Sequence, residues 1–296
     1  MASTAQAVFL LLAGAASVSG QASSAASEAR LTACNGPPLL LIAGQGATSS
    51  IWTPALLRSL AQHREVIIFD NKGIGLSTYD GDDYTIQSFA ESTRDLVEAL
   101  DLQQPDVLGW SLGGVIAMTF AGLYPSALRR LVLTDTSTGG AGFRLNALTR
   151  PGFPAVIQSV RTGQSLPPTI IFPDTAAGNA GLCRFLASQK YMPQDNPTQA
   201  QTAKQGPNLI KALTDPNDNV TFDLLPNITA PTMVIQGAQD EVIAVQNAFV
   251  IVENIPGASL LQYENAGHAV ILQNDIEASQ FIADFLDDAY GSPASE

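Results

Sequence analysis

From residue 39 onward, short apolar runs alternate with longer amphipathic segments. Residues 39–42, 65–69, 105–108, 131–134, 232–235 and 259–263 are rich in aliphatic side chains and read as strands buried on both faces. Between them, residues 52–62, 85–102, 112–124, 244–253 and 275–288 read as helices. In the last of these, Ile276, Phe281, Ile282 and Phe285 recur at roughly helical spacing. Strands that alternate with helices predict an α/β fold, a mostly parallel, twisted central sheet with helices on both faces.

The alternation stops between residues 139 and 222. These 84 residues hold 9 of the chain's 18 prolines and no strand pattern of comparable strength. They predict a helical, loop-rich insertion between two strands, either a decorative excursion or a lid over a site. Phe143, Phe153, Phe172, Phe185 and Tyr191 are its candidate pocket walls, or else its own core. The expected organisation is a leader over 1–20, a lead-in over 21–36, a first core segment over 37–138, the insertion over 139–222 and a second core segment over 223–296.

The first 27 residues carry no charged side chain. Ten apolar positions at 7–16 are too few to span a bilayer, which needs about 20. They suit the core of a signal peptide cleaved near Gly20, and so a secreted protein, although no Lys or Arg precedes the run. The bland reading is a leader that no enzyme removes. The two sequons at Asn219 and Asn227 match what chance yields from this composition, so they permit secretion without arguing for it. Cys34 and Cys183 either pair or remain thiols.

A formal charge of −13, from 14 basic and 27 acidic residues, argues against a nucleic-acid partner, which demands clustered Lys and Arg. It fits a soluble surface. Two cysteines exclude a zinc ribbon, and no metal site or cofactor motif is expected. The chain holds only two histidines, His63 and His268, so any imidazole chemistry must use one of them.

The most informative segment is Gly109-Trp110-Ser111-Leu112-Gly113, between a predicted strand and a predicted helix. A nucleophile on so sharp a turn needs small residues two before and two after it, here Gly109 and Gly113. The N-terminus of the following helix favours negative charge developing beside it. Serine is a poor nucleophile without a base. His268 follows the last predicted strand, at the same sheet edge as Ser111, whereas His63 lies in a polar turn and reads as solvated surface. The base in turn needs an acid. Asp240, just past the strand at 232–235, is favoured over Asp135, which ends the strand at 131–134 and could simply accept local hydrogen bonds. Glu241 is a weaker neighbour. The oxyanion donors expected are the N–H groups of Leu112 and of Gln45, the latter in the glycine-containing loop at 43–47.

On these residues the chain resembles the α/β-hydrolase superfamily, in its branch of small lidded serine hydrolases, over roughly 37–288. The resemblance rests on the elbow at 109–114, on the order Ser111…Asp240…His268, and on Asp70-Asn-Lys-Gly-Ile-Gly-Leu-Ser77. That last segment is similar to the family's D-x-R-G-x-G-x-S turn, with Lys72 where Arg is usual. The resemblance implies a helical lid after the sixth family strand, the one ending near Thr134. There are two departures. Ala43-Gly44 stands where the family has His-Gly, which leaves open what holds the oxyanion loop rigid. The lead-in is also too short for a complete N-terminal hairpin, so fewer than eight strands are expected.

The expected activity is cleavage of a carboxylic ester, lactone or related small acyl substrate through an acyl-enzyme, without membrane span or nucleic acid. C–C hydrolases, aminopeptidases and haloperoxidase-like perhydrolases use the same triad and stay open. Leu112 in place of a second Trp lowers the peptidase reading. A non-catalytic ligand-binding member is the alternative of a different class.

Overall fold

In a computed structural model of the chain, residues 28–31, 36–144, 152–164, 166–192 and 198–287 are described. The segment 1–20, read above as a leader, and Cys34 lie outside them, while Cys183 is exposed. The strands are β1 (Glu28–Leu31), β2 (Pro38–Ile42), β3 (Glu65–Phe69), β4 (Asp106–Trp110), β5 (Leu131–Thr134), β6 (Thr232–Gly237) and β7 (Ser259–Tyr263). They form one sheet in the order β1-β3-β2-β4-β5-β6-β7. Strands β2 to β7 pair in parallel, and β1 alone runs antiparallel, against β3.

The period of two along each strand divides the core. Leu40, Ile42, Ile67, Phe69, Val107 and Leu133 face one side of the sheet. There they pack against α2 (Ile86–Ala99), α3 (Leu112–Leu123) and α8 (Gln246–Asn254). Leu39, Leu41, Val66, Ile68, Leu108 and Val132 face the other side, against α1 (Pro54–Leu60), α9 (Val270–Gln273) and α10 (Asp275–Leu286). Burying each such side chain contributes about 1.5–3 kcal/mol, so a strand apolar at every position is stable only when both faces are covered.

Helix starts follow local chemistry. Thr53 caps α1 by accepting from Leu56 N–H, with Pro54 at the first helical position, and Thr85 caps α2 by accepting from Ser88 N–H. These caps set the starts one or two residues inside the expected spans. Two expectations are corrected. Residues 259–263 form the edge strand β7, partly exposed because among the described residues β6 is its sole neighbour in the sheet. In α10, Ile276 is exposed, while Ala278, Ile282 and Leu286 face the core.

Between β5 and β6 the insertion is helical: α4 (Gly152–Thr162), α5 (Pro168–Ile171), α6 (Ala176–Gln189) and α7 (Gln199–Thr214). The longest of these, α7, opens with a reciprocal capping box between Thr198 and Gln201. Gln205 Nε2 in α7 donates to Lys72 O, tying the insertion to the loop after β3. Among the described residues no helix is long and apolar enough to cross a membrane.

Candidate active site

The tight turn from β4 into α3 places Ser111 at φ 55°, ψ −121°, a strained conformation for a residue with a side chain. The flanking glycines are there for space. A Cβ on Gly109 would lie 2.4 Å from Gly113 O, and one on Gly113 would lie 2.0 Å from Ile42 O. Thr136 Oγ1 donates to Ser111 O at 2.6 Å and holds the turn from the neighbouring strand.

His268 and Asp240 converge on this turn. His268 Nε2 lies 2.9 Å from Ser111 Oγ, and His268 Nδ1 lies 2.9 Å from Asp240 Oδ2. Asp240 is fully buried and His268 nearly so. Asp240 Oδ1 accepts from Val242 and Ile243 N–H at 2.7 and 2.8 Å, and Oδ2 accepts from Gln236 Nε2 at 3.0 Å. These donors hold the carboxylate with one oxygen facing the imidazole. The backbone of His268 is fixed as well, because Trp110 Nε1 donates to its carbonyl at 2.8 Å. Burial alone would lower the pKa of His268. The charge and hydrogen bond of Asp240, with the charge of Asp135, outweigh it and raise the pKa above the ordinary imidazole value.

The other sequence candidates fall into place around this centre. His63 is exposed in the α1–β3 turn. Glu241 is half-buried and is not a hydrogen-bond partner of His268. Asp135 is fully buried beside the Asp240 turn, with its oxygens bonded to Gly237 and Val270 N–H rather than to the imidazole. Gln45 and Leu112 line the same cavity as Ser111 and His268. Asn71 braces the loop at 43–47: its Nδ2 donates to Ala43 O at 2.9 Å, and Ala47 N–H closes the loop onto Gly44 O. Asp70 braces the far side, accepting from Ser49 and Leu76 N–H. Lys72 is buried, its ammonium donating to Asp83 O and Ser88 Oγ and lying 4.2 Å from the Tyr79 ring centre. Burial pushes its pKa down. Sequence reading missed the site roles of Asn71, Trp110 and Gln236; the segment matching Asp70–Ser77 was the signal that could have found Asn71.

The cavity over Ser111 has a volume of about 290 Å³. Val156, Val160, Ile171, Phe172 and Phe185 of the insertion form much of its wall, the two phenylalanine rings lying 5.5 Å apart. Of the other aromatic candidates, Phe143 packs with Val242 and Ile243 in a small separate cluster, Tyr191 is exposed, and the side chain of Phe153 lies outside the described residues. No Asp, Glu, Lys or Arg among the described residues lines the cavity. No group of three or more His, Cys, Asp or Glu suited to a metal ion occurs among the described residues.

Known proteins are similar to this chain in sequence and in fold. An uncharacterised protein of Mycobacterium tuberculosis is 29% identical over 262 residues, covering 86% of this chain and 76% of that one. An alpha/beta hydrolase fold protein from Chitinophaga pinensis superposes with a TM-score of 0.73 at 24% identity, over 88% of this chain and 93% of that one. The enol-lactonase of Burkholderia xenovorans LB400 superposes with a TM-score of 0.68 at 18% identity, over 88% and 96% of the two chains. The model of the alpha/beta hydrolase fold family matches residues 37–275, and the chain belongs to that family.

Proposed function

We propose that the protein is a serine hydrolase that cleaves a small, uncharged carboxylic ester or lactone. The observation that carries this reading is the unbroken hydrogen-bonded chain Ser111–His268–Asp240 beneath a mostly apolar cavity with no Asp, Glu, Lys or Arg among its described lining residues. Ser111 Oγ attacks the carbonyl carbon while its proton passes to His268 Nε2. The N–H groups of Gln45 and Leu112 receive the oxyanion, and the N-terminus of α3 favours the same charge. Collapse of the tetrahedral adduct expels the alcohol oxygen, which takes the proton from His268. Water then attacks the acyl-enzyme with His268 again as base, releasing the acid and restoring Ser111. The helical insertion walls the cavity and acts as the lid that limits substrate size.

The uncharged class follows from the wall. A substrate carboxylate or ammonium buried there would lack a counter-ion among the described residues, at a cost of several kcal/mol. Ser111→Ala should abolish p-nitrophenyl butyrate turnover, and a fluorophosphonate should label the unsubstituted chain at Ser111. Undiminished turnover by a folded Ser111→Ala protein would refute the reading.

A further inference from the structure

Asp135 is a buried carboxylate that the mechanism above leaves unused. It follows β5 at φ 47° and is fully buried, and it is not part of the cavity wall. Its two oxygens are divided between two loops. Oδ1 accepts from Gly237 N–H at 3.0 Å, and Oδ2 accepts from Val270 N–H at 3.0 Å. Gly237 opens the turn that carries Asp240, and Val270 lies two residues after His268. The next residue, Thr136, holds the Ser111 turn. One dipeptide at the end of β5 therefore grips all three loops of the triad.

The hydrogen-bond pattern also speaks to charge. Both oxygens of Asp135 accept from main-chain N–H groups, two bonds that favour its ionised form. Among the described residues, the charged groups acting on Asp135 are Asp240 and His268, and those acting on His268 are Asp240 and Asp135. Burial, then the Asp240 charge, pushes the Asp135 pKa up to about 8, while a cationic His268 and the Gly237 and Val270 N–H groups pull it down, so the ionised form is favoured most when His268 carries a proton. A carboxylate so placed gains a cationic neighbour once His268 takes the proton of Ser111. We propose that Asp135 is a second acidic positioning residue, which locks the Asp240 turn and the His268 loop in register and stabilises the imidazolium formed during attack.

This rests on the serine-hydrolase reading, but it can fail separately. His63→Gln leaves His268 as the sole histidine, so its imidazole can be followed alone by NMR. In that background His268 should titrate above the ordinary value of about 6.5. Asp135→Asn keeps a residue type that tolerates positive φ and removes the charge. It should lower the His268 pKa, move the acidic limb of kcat/KM to lower pH by the same amount, and reduce kcat about tenfold or more, the scale of losing a group that orients a reacting side chain. Fluorophosphonate should still label Ser111. Asp135→Gly, which also suits φ 47°, should shift the limb in the same direction and serves if the Asn variant does not fold.

A drop in kcat with an unmoved limb and an unmoved titration would reduce Asp135 to a structural peg and overturn the proposal. So would a His268 that titrates at or below the ordinary value in the His63→Gln protein. Persistent ester turnover in Ser111→Ala with no labelling would instead overturn the serine-hydrolase reading itself.

Discussion

Gly113→Ala adds one methyl group at the second residue of α3. The new Cβ would lie 2.0 Å from Ile42 O, 2.6 Å from Ile42 C and 2.8 Å from Ala43 O. Ordinary contact begins at 3.4 Å, which leaves a shortfall of 1.4 Å (3.4 less 2.0) against main-chain atoms. Ile42 ends β2 and is paired with Gly109 of β4, so it cannot slide along the strand. Relief must come from moving the backbone that continues through Ala43 to Gln45. Overpacking of this kind costs about 1–3 kcal/mol, a fall in melting temperature of roughly 2–10 °C at this chain length. The catalytic cost comes on top of this, because misplacing an oxyanion donor by about 1 Å loses about 100-fold. Gly257→Ala is the control. Gly257 has φ 71°, and a methyl group there would meet nothing within 4 Å, so the substitution carries only left-handed strain of about 1–2 kcal/mol. The two variants should be similar in thermal stability yet differ about 100-fold in kcat for p-nitrophenyl butyrate. A Gly113→Ala enzyme with kcat within about twofold of the parent would refute the steric account of the turn.

Asp240→Asn leaves the shape of the acid in place but removes its charge. It should lower kcat/KM by roughly 10³–10⁴. The sign of the pH effect follows from the raised pKa of His268. The base must be neutral to act, so activity rises with pH through that pKa, and losing Asp240 moves the acidic limb to lower pH. A p-nitrophenyl ester ending in a carboxylate should be a poorer substrate than a neutral ester of equal length. The expected loss in kcat/KM is about 100-fold or more, the equivalent of burying one unpaired charge. Equal rates would argue for a cation in the wall.

The core strands were legible because burial on both faces leaves an almost uninterrupted apolar run, as at Leu39–Leu41 and Val66–Ile68, all buried. β1 was not legible. Glu28-Ala-Arg-Leu31 has four residues and two charges, and its pairing with β3 comes from main-chain bonds that leave no mark on side-chain pattern. β7 shows the opposite error. Ser259-Leu-Leu-Gln-Tyr263 reads as a buried run, yet edge position is a property of strand order, which periodicity does not encode. The same limit explains Ile276. It continues a helical apolar stripe in sequence, while the face that α10 turns to the sheet is set by its contact with α1.

The site follows a different rule. Ser111, His268 and Asp240 were legible because each follows a strand, and parallel strands bring their carboxyl ends to one edge of the sheet. That rule selects Asp135 as readily as Asp240, since β5 and β6 are neighbours with Thr134 opposite Ile235. What separates the two acids is reach. The Gly237–Asp240 turn carries its carboxylate out to His268 Nδ1, while Asp135 stays at the strand end and spends both oxygens on main-chain N–H groups. The choice of one acid as partner thus left the other without an assigned role, although its position puts it against both loops. Asn71 escaped notice for a related reason: it lies inside the Asp70–Ser77 motif, but its support of Ala43 crosses from the loop after β3 to the loop after β2, a contact made by sheet order that the motif alone does not name. Residues that meet the reacting atoms announce themselves through local geometry, and those that hold them in place are fixed by which strands become neighbours.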